Sequence, residues 1–194
     1  MLVMTIDQRR SRRDVDRVAQ LLADLADEPL VRPFERTAGD EVQAVADDPR
    51  VVVDIALRLV VSGHWSIGIG IGAVEQPLPR QTRAGRGPAF EEARDAVTRA
   101  KNAPAGLAVA GTNTQAAADA EAILTLLAML VGRRSAEGHA AVDQMRRGLS
   151  QSEAADTLGI SKQAVSQRLS TAGWQAEGPA RSLAERLLNE ADNR

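Results

Sequence analysis

The chain has 194 residues, a net charge of −2 and no cysteine, which allows one large or two small domains and excludes a histone-like polycation. The absence of thiols removes disulfides and thiolate metal sites and fits a reducing cytoplasm, and with His64 and His139 as the only imidazoles a zinc centre is not expected. Phe34, Phe90, Trp65 and Trp174 are too few rings for a stacking platform on single-stranded nucleic acid.

The opening MLVMTIDQRRSRRD sets its apolar run before its basic cluster, the reverse of a secretion signal. Residues 2–7 read as a short buried strand. A helix is predicted from Arg12 to Asp27, with Val15, Val18, Leu21, Leu22 and Leu25 on one side. Residues 30–37 and 41–46 flank Gly39-Asp40, a hairpin signal. The helix predicted over 49–62 begins with Pro49 in its first turn and carries Val52, Ile55, Ala56 and Leu59. Residues 64–74 alternate Ile and Gly, as a strand does when one face is approached closely by another backbone. A loop with Arg80, Arg83 and Arg86 leads to a helix from Pro88 to Asn102, and residues 105–111 make a last strand. This order predicts an α+β domain of the ferredoxin-like kind over residues 1–111, with helices on one face of an antiparallel sheet. From Thr112 onward only helices are expected. A connecting and possible dimerising helix falls in 112–134, and an all-α domain in 135–194 ends in a helix over 179–191. The apolar run 122–132 has about half the length needed to span a bilayer, so it reads as a buried helix and no membrane contact is expected.

Within the last domain, residues 146–169 have the spacing of a helix-turn-helix. Ala154 and Ala155 let two helices cross closely, and Gly159 suits a left-handed helix end. Leu158, Ile160, Val165 and Leu169 fill the angle between the helices, and Ser150 and Ser161 are N-caps. Ser161, Lys162, Gln163, Ser166 and Gln167 are left facing outward on the second helix, types that reach base edges. Arg146, Arg147 and Arg168 are expected to hold phosphates. Between residues 145 and 170 the net charge is only +2, and a helical hairpin with no DNA role has the same apolar demands. The unit resembles the DNA-binding domains of response regulators and the promoter-reading domain of sigma factors.

The Gly68-Ile-Gly70-Ile-Gly72 run is not a dinucleotide fingerprint, because Pro77 and Pro79 follow it where a helix would have to start. Asp7 and Asp40 carry the sharper signal. In a ferredoxin-like sheet they end on adjacent strands, and neighbouring carboxylates persist when Mg²⁺ with phosphates, or an arginine, sits between them. The other reading makes Asp40 a hairpin acid and Asp7 a helix cap. The segments TAGDEVQ (37–43), SIGIGIG (66–72) and GPAFEEAR (87–94), with the strand ending in Asp7, resemble the SatD-like family of small bacterial proteins. More distantly, residues 1–111 resemble class III nucleotidyl cyclases and GGDEF domains. That resemblance implies metal binding at Asp7 and Asp40 and gives Arg94 the role of a charge-stabilising arginine. The cyclases' asparagine position falls on Phe90, which cannot orient a ribose, so the resemblance implies nucleotide or phosphate binding without turnover.

The expectation is therefore a cytoplasmic, homodimeric regulator of double-stranded DNA. Its first domain would sense a nucleotide, with Mg²⁺, at Asp7, Asp40 and Arg94, or serve dimerisation. The alternatives are a metal-dependent nucleotide cyclase or phosphotransferase with an accessory DNA-binding domain, and a protein adaptor whose helix-turn-helix no longer binds DNA.

Overall fold

The computed structural model describes residues 1–192. It is an α+β chain, with a five-stranded mixed sheet and eight α-helices among these residues. In chain order the elements are β1 (Leu2–Gln8), α1 (Val18–Asp24), β2 (Arg32–Arg36), β3 (Glu41–Ala46), α2 (Pro49–Ser62), β4 (Trp65–Ile71), α3 (Pro88–Ala100), β5 (Leu107–Gly111), α4 (Thr114–Gly132), α5 (Ala136–Arg146), α6 (Gln151–Leu158), α7 (Lys162–Thr171) and α8 (Trp174–Asp192).

The strands lie in the order β2-β3-β1-β4-β5. Neighbours are antiparallel except β4 and β5, which run parallel. Alternation along β1 and β4 sends Leu2, Met4, Ile6, Ile67, Ile69 and Ile71 into one large core with residues of α1, α2, α4 and α8. Val3 and Val45 face the other way, onto Ala89, Phe90 and Ala93 of α3. The sheet is thus covered on both faces, where helices on one face of an antiparallel sheet were expected. The reason is the last strand: β5 joins β4 in parallel, and α3 is the crossover that such a pair requires.

Gly68 and Gly70 let α3 lie directly on the sheet. A Cβ at Gly68 would stand 2.3 Å from the Val97 nitrogen, and one at Gly70 would stand 2.1 Å from the Ala89 oxygen. The Ile/Gly alternation is therefore the imprint of a helix backbone pressed against a strand.

The helix predicted from Arg12 is shorter, Val18–Asp24. Asp14 and Asp16 accept hydrogen bonds from the backbone N–H groups of Val15 and Val18, holding the preceding segment in turns. Val15, expected on the buried side, is 66% exposed.

The helix α4 is 19 residues long and apolar enough to cross a membrane by length and composition, but Ala117, Ala120, Leu124, Leu127, Ala128 and Val131 belong to the sheet's core. The last helix, α8, follows the short helices in sequence but sends Ala184, Leu188 and Ala191 into that same core. A second, smaller cluster joins Ala141, Val142, Ala154, Ala155, Val165, Leu169 and Ala172 of α5, α6, α7 and the turn after α7.

Candidate nucleic-acid interface and first-domain carboxylates

The α6–α7 pair is built by local rules. Ser150 and Glu153 form a reciprocal capping box at the start of α6, with Ser150 accepting from the Glu153 N–H and Glu153 accepting from the Ser150 N–H. Gly159 ends α6 at φ +64. Nothing lies within 4 Å of where its Cβ would be, so the backbone conformation alone demands glycine. Gly159→Ala is expected to cost about 1 to 2 kcal/mol in urea unfolding. An unchanged midpoint would mean that the turn relaxes freely.

Ser161 then caps α7, accepting from the Ala164 N–H at 3.1 Å. Val165 and Leu169 are fully buried against α5 and α6, so the outward face of α7 carries Ser161, Lys162, Gln163, Ser166 and Gln167, all exposed. That face has no carboxylate. Arg168 is half-buried beside a groove lined also by Arg133, Ser135, Gln167 and Thr171. Arg147 is exposed at the end of α5.

Arg146 has a different situation from the one expected. Its guanidinium lies 2.6 Å from a carboxylate oxygen of Glu177, whose side chain is 0% exposed. Arg181 reaches the same oxygen at 2.6 Å, and Arg134 reaches the other at 2.7 Å with its own side chain 1% exposed. Burial by itself pushes the Glu177 carboxyl up, but hydrogen bonds from Arg181 and Arg134 and the charge of Arg146 outweigh this and hold its pKa at about 2. Arg181 also pairs with Asp54 of α2, and Arg134 donates to the Ala172 carbonyl at 2.8 Å. Glu177 therefore ties the start of α8 to α5, to the α4–α5 connection and, through Arg181, to α2. The sequence offers one local signal, the i,i+4 spacing of Glu177 and Arg181, but the other two partners of Glu177 lie 31 and 43 residues away.

In the first half of the chain, register pairs Asp7 with Glu41 on one side and Ser66 on the other. Asp40 sits one residue beyond Glu41, in the hairpin turn. The cation beside Asp7 is Lys101, with Nζ 2.9 Å from a carboxylate oxygen. Arg94 is exposed on α3, seven residues upstream of Lys101 and so about 10 Å away along the helix axis. Among the described residues no group of three or more His, Asp or Glu side chains is positioned to hold a metal ion. Lys101 and the run Arg9-Arg10-Ser11-Arg12-Arg13 escaped the functional reading of the sequence, although the basic cluster itself was visible there.

Comparisons of the chain with protein-family models, with curated proteins and with solved structures each found no match.

Proposed function

We propose that this chain is a DNA-binding transcriptional regulator in which α6 and α7 act as a helix-turn-helix with α7 as the helix that enters the major groove. The observation that carries this reading is the outward face of α7: five exposed polar side chains from Ser161 to Gln167, free of acid, standing on a buried apolar cluster. Lys and Gln at the N-terminal end of such a helix are suited to base edges. The first half of the chain reads as a ferredoxin-like, SatD-like module. Its support is the antiparallel order β2-β3-β1-β4, with α1 and α2 packed on the same face. Its role in this reading is to sense a phosphorylated ligand or to bring two copies together.

Pairing of copies through α4 is part of the proposal. Ala118, Ala122, Leu126 and Met129 form an exposed apolar stripe along that helix, with Leu126 64% and Met129 43% exposed. The β5 edge is a poorer candidate, because the Val109 N–H is already bonded to Glu121 and the Val109 carbonyl to Arg99. A modest local charge favours dimeric readout, in which two half-sites add their phosphate contacts.

The test is duplex binding by fluorescence anisotropy, on fragments recovered in a genome-wide pull-down. Lys162→Ala combined with Gln163→Ala is expected to weaken specific binding by roughly 10- to 200-fold with an unchanged melting temperature. Equal affinity of the double variant for every recovered fragment sinks the helix-turn-helix reading and leaves an adaptor. A nucleotide panel with and without Mg²⁺ belongs in the same assay. ATP or GTP turnover abolished by Asp40→Ala would instead establish the cyclase-like alternative.

A further inference from the structure

The segment leaving β1 carries Arg9, Arg10 and Arg13 into an open cleft of about 1010 Å³, lined also by Asp7, Gln8, Asp14, Gly63, His64, Ser66 and Lys101. Two of these lining residues are carboxylates, and each already has a cation. Asp7 holds Lys101 at 2.9 Å, and Asp14 holds the Arg17 guanidinium at 2.9 Å. Arg9, Arg10 and Arg13 make no ion pair or side-chain hydrogen bond with the described residues. Three guanidiniums therefore line one cleft with no ion-pair partner among the described residues.

The segment that presents them is anchored at both ends. Gln8, 2% exposed, donates from Nε2 to the Val15 carbonyl at 2.7 Å and accepts from the Arg17 N–H at 2.9 Å, clamping the segment at its far end. The Arg9 N–H is bonded to the His64 carbonyl at 2.8 Å, anchoring the near end. Between these anchors Arg10 adopts φ +59, the only positive φ outside glycine among the described residues. A left-handed arginine in a clamped segment is a backbone cost that the surrounding hydrogen bonds must maintain. The result is three like charges carried on one anchored stretch of backbone. Such a cluster is suited to an anion that several forked donors can grip at once.

The chemistry narrows the anion. One phosphate monoester carries about −1.5 to −2 at neutral pH, short of three guanidiniums. A chain of two or three phosphates supplies the missing charge and the reach across the cleft. Arginines supply most of the cationic lining, and His64 is the one aromatic ring among the lining residues, so recognition rests mainly on the phosphates.

We propose that the cleft between the β1–α1 segment and the C-terminal end of α3 binds a di- or triphosphate chain through Arg9, Arg10 and Arg13. This site stands whether or not α7 binds DNA and whether or not Asp7 and Asp40 hold a metal.

The experiment is calorimetric titration of the full chain with inorganic tripolyphosphate, with orthophosphate and with a short DNA duplex, each in the absence of divalent metal. Tripolyphosphate is expected to bind more tightly than orthophosphate. Arg10→Gln and Arg13→Gln, both at exposed positions, are each expected to weaken it about tenfold without lowering the melting temperature. Arg13→Lys is expected to retain part of the affinity, and Arg186→Gln on α8 all of it. No tripolyphosphate binding overturns the proposal, as does equal weakening by Arg186→Gln. So does a loss of duplex affinity in the Arg10 and Arg13 variants with tripolyphosphate unaffected, which would make the cleft a nucleic-acid surface. Loss of duplex binding in the Lys162 and Gln163 variant alone leaves this site intact and bears only on α7.

Discussion

Replacing Glu177 by glutamine is expected to cost about 3 to 5 kcal/mol of folding stability, a loss typical of breaking a buried ion network from one side. The substitution leaves Arg134, 1% exposed, with no negative charge to meet it, while Arg146 and Arg181 lose a shared oxygen. Urea unfolding measures the loss, and Trp174, three residues before Glu177 and packed on the small cluster of α5–α7, reports it locally. Hydrogen exchange in α5, α6 and α7 is expected to rise more than in the sheet, because Glu177 joins these helices to the rest of the chain. A uniform rise, or none, would mean that the apolar contacts hold them in place without it.

The same carboxyl makes stability depend on pH in a stated direction. Its folded pKa, about 2, lies below the ordinary glutamate value of 4.5. The unfolded chain therefore takes up the proton first as the solution is acidified. The contribution is fully present above about pH 4.5 and is lost as pH falls from there toward 2, amounting to about 3 kcal/mol in total. Glu177→Gln is expected to flatten the stability profile in that window and to change little of its shape above it. A variant that keeps the wild-type acid slope would assign the slope to other carboxylates.

Gly70→Ala is expected to cost about 3 kcal/mol or more, or to prevent folding. The added methyl would meet the Ala89 oxygen at 2.1 Å and the Ala93 nitrogen at 2.2 Å, both backbone atoms of α3 that no side-chain rotation can move aside. To admit it, the helix must lift from the sheet along its length, opening the contacts of Val3, Val45 and Phe90. Gly132→Ala is the comparison. That position ends α4 with only an ordinary 3.6 Å contact to Val60, and alanine there is expected to be neutral or stabilising by up to about 1 kcal/mol. Equal midpoints for the two variants would refute close backbone packing as the reason for glycine in β4.

Much of the architecture was legible because its causes are local. Pro49 after the capping Asp48, the Gly39 turn, the Ser150 and Ser161 caps and Gly159 each act within a few residues. Those positions bound their elements much as the periodicity predicts. The departures have two causes, one local and one long-range. The helix predicted from Arg12 was displaced by aspartate side chains competing for backbone N–H groups. The parallel pairing of β5 is a long-range choice, made when α3 found a glycine-lined face on which to lie.

The site residues divide in the same way. The outward set on α7 follows from helical spacing once Val165 and Leu169 are buried. Local pairs such as Asp14 with Arg17 and Glu177 with Arg181 follow from spacing, but the distant pairings do not. Arg146 has Glu177, Asp7 has Lys101, and Arg9, Arg10 and Arg13 have none among the described residues. Such pairings depend on the approach of segments far apart in the chain, and Coulomb attraction is strong only once they are within a few ångströms and partly removed from water. By itself, then, the sequence determined the elements, their caps and the polar face of α7, because backbone geometry and alternation operate over a few residues. Only the tertiary structure decided that α8 returns to the first core and that Glu177 takes up three arginines. It also left the β1–α1 arginines with no ion-pair partner among the described residues, because burial and charge pairing are properties of the assembled surfaces and not of any one segment.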